Sequence, residues 1–153
     1  MDAIQFLKQE HEEFKAKFRQ LEQASSPQEQ LRLWNTMKPD LKLHEQMETR
    51  YLYGPIEQDA RARGTVLSHY EQDHQQDVKQ ADMMVQQIDS TNPSDPQWLS
   101  LVLQLRDTLL QHMQEEETQI WPEIRQVWDQ GRIDQAGQQM QQMHQQQAGS
   151  RTP

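Results

Sequence analysis

Two pairs of side chains that can bind metal ions occur at the same spacing in separate parts of the chain. His44 precedes Glu48 by four residues, and His112 precedes Glu116 by the same interval. Residues four apart on a helix lie on one face and one turn apart, so each pair can reach a common point. This spacing is typical of ligands supplied by a helix. Aligning His44 with His112 also pairs Tyr53 with Trp121, so the pattern indicates an internal repeat.

A further histidine precedes each pair and completes the repeat. His11 comes before the first pair and His74 before the second, and each follows an acidic residue, in Glu10-His11 and Asp73-His74. A single inward histidine is usually a packing residue with satisfied hydrogen bonds. Four histidines in two copies of one pattern, two of them with a glutamate at the fourth position, are better explained by a metal site.

The residue types limit which metal site is possible. Burying histidine and glutamate among apolar residues costs several kcal/mol unless a partner compensates, and a divalent cation suits both groups. Glutamates from two helices can bridge two metal ions, with about two imidazoles for each ion. The chain has no cysteine, which excludes thiolate zinc sites and cysteine-ligated iron–sulfur clusters. We therefore expect a paired centre with nitrogen and oxygen ligands.

The apolar residues predict four amphipathic helices that would position these ligands. Alternating spacings of three and four run through residues 4–21, from Pro27 to a stop at Gly54-Pro55, and through residues 67–88 and 98–120. Pro122 should lie near the end of the regular part of the fourth helix. The fold class expected is all-α, an up-down-up-down four-helix bundle.

The predicted domain organisation is one bundle, residues 1–128, followed by a Gln-rich tail, residues 129–153. Ile133, Met140 and Met143 predict a short docked helix in the tail, and its last residues are expected to be disordered. The length of 153 residues fits one domain.

Charge and hydropathy exclude several classes of partner. The formal net charge of -9 disfavours binding to nucleic acid or to an anionic membrane. The chain contains no apolar run long enough to span a bilayer, and its N-terminus lacks the pattern of a signal peptide. A cytoplasmic protein is expected.

The order EH, HxxxE, DH, HxxxE, with LYGP and IWP near the helix ends, resembles the hemerythrin-like, or HHE cation-binding, family over residues 1 to about 125. The resemblance implies two non-haem iron ions, bridged by oxo or hydroxo, in a four-helix bundle. The ligands that it implies are His11, His44, Glu48, His74, His112 and Glu116. Ferritin-like bundles differ because they have more carboxylates and an ExxH pattern.

The sequence departs from the oxygen-carrying hemerythrins at two positions. Those relatives have a fifth histidine where this chain has Tyr70, four residues before His74. Tyr70 could reach a metal as a phenolate or through water, or be a buried aromatic residue with a satisfied hydroxyl. His69 would point about 140° away from His74 on a regular helix, which favours the surface. Glu117 is the alternative carboxylate ligand, since the oxygen-carrying relatives use an acid one residue after the position of Glu116. The internal repeat favours Glu116, because Glu116 matches Glu48.

The ligand charges favour a binding function. Four neutral imidazoles and two carboxylates give less anionic donation than a carboxylate-rich site, which favours the ferrous state over forceful oxygen cleavage. We expect a protein that binds or senses dioxygen or nitric oxide more than a dedicated enzyme. Two alternatives stay open: an iron-dependent, catalase-like enzyme that decomposes peroxide, and a metal-stabilised iron-response or interaction module with an unknown protein partner.

Overall fold

The fold of the chain is entirely helical wherever regular structure is described. The computed structural model describes residues 1–151, and side chains as far as residue 149. The α-helices are α1 (Ala3–Gln23), α2 (Pro27–Glu48), α3 (Gly54–Glu57), α4 (Tyr70–Asp89), α5 (Pro96–Glu115), α6 (Trp121–Val127) and α7 (Gln130–Arg151). Two π-helical turns, Thr49–Tyr53 and Glu116–Ile120, and two 3-10 turns, Ala60–Ala62 and Val66–Ser68, connect some of them. The all-α prediction is confirmed.

Capping residues determine where three of the long helices begin. Asp2 accepts a hydrogen bond from the backbone of Gln5, whose side chain accepts one from the Asp2 backbone, a reciprocal capping box. The Ser26 and Asp95 side chains accept hydrogen bonds from the backbone N–H groups of Glu29 and Gln97 and so cap α2 and α5, each just before a proline at the start of the helix. Local sequence therefore fixes the N-terminal ends of these helices.

The helix that carries the first HxxxE pair does not stop at Gly54-Pro55, so that prediction was wrong. The chain widens into the π-helical turn Thr49–Tyr53 and continues directly into α3, with Pro55 in its first turn. Proline is tolerated there because no helical partner for its missing N–H is needed. A Cβ on Gly54 would lie 2.7 Å from the Thr49 carbonyl oxygen, so only glycine fits this turn.

The second HxxxE pair is also followed by a π-helical turn and a proline. A π-helical turn, Glu116–Ile120, separates α5 from α6, and Pro122 lies in the first turn of α6. The α-helix ends at Glu115 and helical structure continues past Pro122 to Val127, so the prediction that the regular helix ends near Pro122 was wrong as well. Glu48 ends α2 and Glu116 begins the second wide turn, so each turn adjoins a predicted ligand, as π-helical turns often do at functional sites.

The apolar core lies in two clusters with the predicted ligands between them. One cluster includes Leu7, Leu52 and Tyr53, and the other includes Phe18 and Leu105. Helices α1 and α4 pass from the first cluster to the second. Helix α2 passes the other way, and so does α5 together with the turn Glu116–Ile120 that follows it. This alternation is consistent with an up-down-up-down order, which stays a prediction. No helix among residues 1–151 is both long and apolar enough to cross a membrane.

The Gln-rich tail forms α7, which packs against α1. Its buried residues Ile133, Ala136 and Met140 join the cluster that contains Leu7, and Met143 packs partly against it. The docked helix is therefore 22 residues long, whereas the sequence predicted a short one. Of the residues expected to be disordered, 152 and 153 lie outside those described, and the division at residue 128 stays a prediction.

Candidate metal centre

Helices α1, α2, α4 and α5, with the turn that follows α5, bring all six predicted ligands into one largely buried layer. His11 comes from α1, His74 from α4, and the HxxxE pairs from α2 and from α5 with its following turn. The residue exposures are low throughout: 0% for His11 and Glu116, 1% for Glu48 and His74, and 6% for His44, with 16% for the His112 side chain. Helical periodicity placed each residue on the inward face, as its spacing predicts.

These residues form two adjoining groups with metal-ligand spacing. One group is His11, His44, Glu48 and Glu116, and the other is Glu48, His74 and His112; within each, one candidate ligand atom per residue lies within 4.8 Å of the others. Glu48 belongs to both groups. This sharing is the arrangement that a bridging carboxylate requires.

The inward ring nitrogens carry the close contacts in the first group. His11 Nε2 lies 3.2 Å from His44 Nε2 and 3.4 Å from Glu116 Oε1. His44 Nε2 lies 3.3 Å from Glu48 Oε2. His112 Nε2 approaches the other face of the layer, 3.5 Å from Glu116 Oε1. Glu116 therefore faces histidines of both groups, as Glu48 does.

Several of these polar atoms are buried without a hydrogen-bond partner among the described residues. They include Glu48 Oε2, Glu116 Oε1 and both ring nitrogens of His74. Buried polar atoms are normally satisfied, and an unpaired one costs about 1–3 kcal/mol. A divalent cation would satisfy the carboxylate oxygens and the imidazole nitrogens together. The donor set therefore fits divalent metal ions of the type that bind nitrogen and oxygen.

Carboxylates hold the outward nitrogens of three of the four histidines. The distances are 2.9 Å from His11 Nδ1 to Glu117 Oε2, 2.8 Å from His44 Nδ1 to Glu10 Oε1, and 3.1 Å from His112 Nδ1 to Asp77 Oδ2. Such contacts orient a ligand histidine and raise its basicity. Glu117, the alternative carboxylate ligand, therefore lies where it supports His11 and outside the two ligand groups.

Known proteins identify the family to which this arrangement belongs. The family model of the hemerythrin HHE cation-binding domain matches residues 2–124. The chain belongs to this family. The match spans all six candidate ligands and ends before α7, so α7 lies outside the HHE match.

A more distant similarity concerns a larger protein. The chain is 26% identical over 125 residues to a DNA nickase of Nostoc sp. (strain PCC 7120 / SAG 25.82 / UTEX 2576). The aligned region covers 82% of this chain and 34% of the nickase. The chain therefore spans about a third of that protein's length. No solved structure matches the chain.

Tyr53 is a site residue that the sequence did not reveal in this HHE domain. Its buried hydroxyl donates to Glu116 Oε2 and accepts from Trp121 Nε1 at 2.9 Å. The Tyr53 ring lies 4.7 Å from the His74 ring, and the Trp121 ring stacks 4.9 Å from that of His11. Tyr53 and Trp121, which the internal repeat aligned, thus lie beside His74 and His11. That alignment was the one feature of the sequence that could have indicated Tyr53 as a site residue.

Tyr70 and His69, the two further candidate ligands before His74, differ in burial. Tyr70 is 2% exposed, and its hydroxyl has no hydrogen-bond partner within the described part of the chain. Its ring lies 4.8 Å from that of Tyr53 and 6.3 Å from that of His74. Burial raises the pKa of Tyr70, and Glu116 and Glu48 raise it further. His69 is exposed just before α4 begins. Ligation by Tyr70 stays a prediction.

The site is electrostatically asymmetric before any metal binds. Burial raises the pKa of Glu48 well above its usual range, and the neighbouring Glu116 carboxylate adds to this. Burial opposes ionisation of Glu116 too, but His112 and a hydrogen bond with Glu48 hold its pKa well below normal. Burial lowers the pKa of His74 to about 4. Burial also disfavours charged His112, yet Glu116 and Asp77 outweigh it and raise that pKa to about 9.

Metal binding at neutral pH should therefore release protons. His112 is protonated at pH 7 in the metal-free protein because its pKa lies near 9. A metal takes neutral imidazole, so loading should displace about one proton from His112. Because bound metal and bound proton exclude each other, affinity should rise with pH up to about 9 and fall on acidification. Calorimetric titration at pH 7 in buffers of different ionisation enthalpy measures this release, and a buffer-independent heat would contradict it.

Tyr53→Phe should destabilise the protein. The substitution leaves Glu116 Oε2 and Trp121 Nε1 buried without their shared partner, which should cost about 1–3 kcal/mol in the free energy of unfolding. Urea unfolding of the metal-free protein measures it. Tyr70→Phe is the matched control, because the Tyr70 hydroxyl has no such partner. Equal losses from the two variants would show that the Tyr53 hydrogen bonds contribute nothing specific.

A cavity leads from the ligand layer to the protein surface. It has a volume of about 580 Å³ and is lined by His44, Glu48, His74 and His112 on the inside. Its lining also includes the exposed residues Gln80 on α4 and Gln111 on α5. A small molecule could therefore reach the candidate centre between these two helices.

Proposed function

We propose that this HHE domain holds two iron ions and binds a small diatomic molecule, dioxygen or nitric oxide. The observation that carries the proposal is the pair of adjoining ligand groups that share Glu48. The proposed ligands are the six residues described above, on an up-down-up-down bundle: His11, His44, Glu48, His74, His112 and Glu116.

The residues of the site favour binding over forceful oxidation. Ferrous ions held here would supply electrons and an exchangeable coordination position to a diatomic ligand. The proposed ligand set has four imidazoles but only two carboxylates, a modest negative charge that favours the ferrous state. Glu10, Asp77 and Glu117 orient three of the imidazoles, and burial limits the access of water to five of the six proposed ligands, all but His112.

Iron content and the visible spectrum of the purified protein test this proposal. We expect about two irons per chain after anaerobic ferrous reconstitution, and bands of a bridged ferric pair that bleach on reduction. Mixing the reduced protein with nitric oxide should change the spectrum. Zinc alone, or no metal after reconstitution, would exclude the proposed centre, and two irons without any response to dioxygen or nitric oxide would exclude diatomic binding.

Peroxide decomposition is the second candidate, and the cavity that reaches exposed polar residues favours it. Two molecules of hydrogen peroxide would give two of water and one of dioxygen, a balanced reaction that consumes no other reductant. Oxygen evolution from hydrogen peroxide, abolished in His74→Ala, would support this activity. Its absence in the iron-loaded protein would leave diatomic binding as the proposed function.

We propose no nucleic-acid or membrane partner for this chain. The DNA nickase match covers only 34% of that protein, and the net charge of -9 opposes approach to a phosphate backbone. Cytoplasmic localisation and a metal-stabilised interaction role stay predictions from the sequence.

A further inference from the structure

The C-terminal helix α7 docks on α1 at a contact that only glycine permits. A Cβ on Gly137 would lie 2.6 Å from the Met1 carbonyl oxygen and 2.7 Å from backbone atoms of Asp2 and Ala3. Such distances would force the backbones apart. The start of α1 is held in place from the other side as well, because Asp2 Oδ2 accepts a hydrogen bond from Gln130 at the start of α7. The position of α7 on α1 is therefore specific.

Two turns beyond Gly137, α7 presents His144 to the same face of α1. His144 Nε2 lies 3.7 Å from Glu10 Oε2, and its ring meets the Phe6 ring edge-on at 6.0 Å between centroids. Phe6 and Glu10 are four residues apart and share that face of α1. The His144 side chain is 41% exposed and thus partly covered by this face of α1.

Glu10 links this contact to a candidate metal ligand. Its other oxygen, Oε1, lies 2.8 Å from His44 Nδ1. Glu10 is 7% exposed, which is unusual for a carboxylate. With Nδ1 held in this way, His44 Nε2 faces Glu48 at 3.3 Å. A continuous series of contacts therefore runs from His144 through Glu10 to His44.

The second half of the internal repeat shows what happens without a covering helix. Asp73 precedes His74 as Glu10 precedes His11, but Asp73 is exposed. The carboxylate that supports His112 is instead Asp77, whose side chain is 44% exposed. Only in the half that α7 covers does the acid before the lone histidine support a ligand on the neighbouring helix.

We propose that α7 belongs to the outer layer of the metal centre and that His144 is a positioning residue acting through Glu10. The helix keeps Glu10 away from water, and His144 restrains the carboxylate in the orientation that holds His44. The inference rests on the proposed metal centre, but it concerns a helix outside the HHE match. It predicts that α7 slows the loss of metal from the group that contains His44.

Release of cobalt(II) from the loaded full-length protein to an excess of chelator tests the inference. Loss of an outer partner of a metal ligand typically weakens metal binding 10- to 100-fold, and Glu10→Gln should speed release by about that much. His144→Ala removes a more distant contact and should speed release by roughly three- to tenfold. Gln145→Ala, at the next and exposed position, should release cobalt at the unchanged rate.

A double variant separates positioning from a general structural effect. If His144 acts through Glu10, adding His144→Ala to Glu10→Gln should change the release rate by less than about twofold. An equal effect in both backgrounds, or wild-type release from His144→Ala, would overturn the inference while leaving the centre intact. Failure of the wild-type chain to retain cobalt would instead count against the proposed metal centre itself.

Discussion

Glu48→Gln is expected to leave the protein unable to hold two metal ions. Glu48 is the one residue common to both ligand groups, and its buried Oε2 has no hydrogen-bond partner among the described residues. An amide keeps the size of the side chain but is a much poorer bridging ligand than a carboxylate. Metal content should fall from about two ions per chain to about one or fewer. Elemental analysis after reconstitution and desalting measures this.

The same substitution should have the opposite effect on the metal-free protein. Burial and the facing Glu116 raise the pKa of Glu48, so the glutamate is held in an unfavourable setting. Glutamine at this position removes the ionisable group and should maintain or increase the free energy of unfolding, a trade-off common at functional sites. Glu115→Gln is the matched control: it makes the same change at an exposed position beside Glu116. Glu48→Gln protein that still binds two metals would refute the bridging assignment.

The inward ligands could be predicted from sequence because helix periodicity alone determines which residues share a face. His44 and Glu48 are four apart on α2, and His112 and Glu116 are four apart along the chain where α5 meets its wide turn. The lone histidines fall on apolar stripes. Each of these spacings lies within a single helical segment. In the structure, α1, α2, α4 and α5 with its following turn place these residues on their inward faces.

The supporting contacts could not be predicted in this way because they cross between helices. Glu10 adjoins His11 in sequence but contacts His44, and Asp77 lies one turn after His74 but contacts His112. Their partners depend on the rotation and height of one helix against another. Spacing within a single helix does not contain that information.

The wide turns and the tail were mispredicted for different physical reasons. Gly54-Pro55 is a common stop signal, but a π-helical turn lets the proline begin a new helix in place of ending one. The tail has few apolar residues, so its hydrophobic pattern predicted only a short helix. Close approach at Gly137 and packing of Ile133 and Met140 on α1 accompany a much longer one.

Removing metal from the loaded protein should lower its thermal stability substantially. The metal-free centre keeps buried carboxylate oxygens and imidazole nitrogens that have no hydrogen-bond partner among residues 1–149, among them Glu116 Oε1 and both nitrogens of His74. A ligand that binds only the folded state at 1,000 times its Kd adds about 4 kcal/mol to stability. For a domain of this size, that corresponds to a Tm higher by roughly 8–16 °C. Calorimetric scans of the loaded and the chelated protein at one pH measure the difference.

The variants show whether that shift comes from the proposed centre. Glu115→Gln should keep the full increase in Tm on loading, whereas His74→Ala should lose a large part of it, because His74 supplies a buried nitrogen to the second ligand group. Metal bound weakly at exposed carboxylates would give the two variants the same small shift. An unchanged Tm on loading in the wild-type protein would mean that these buried polar atoms are satisfied without metal, and that the layer between the two apolar clusters is a structural hydrogen-bond network.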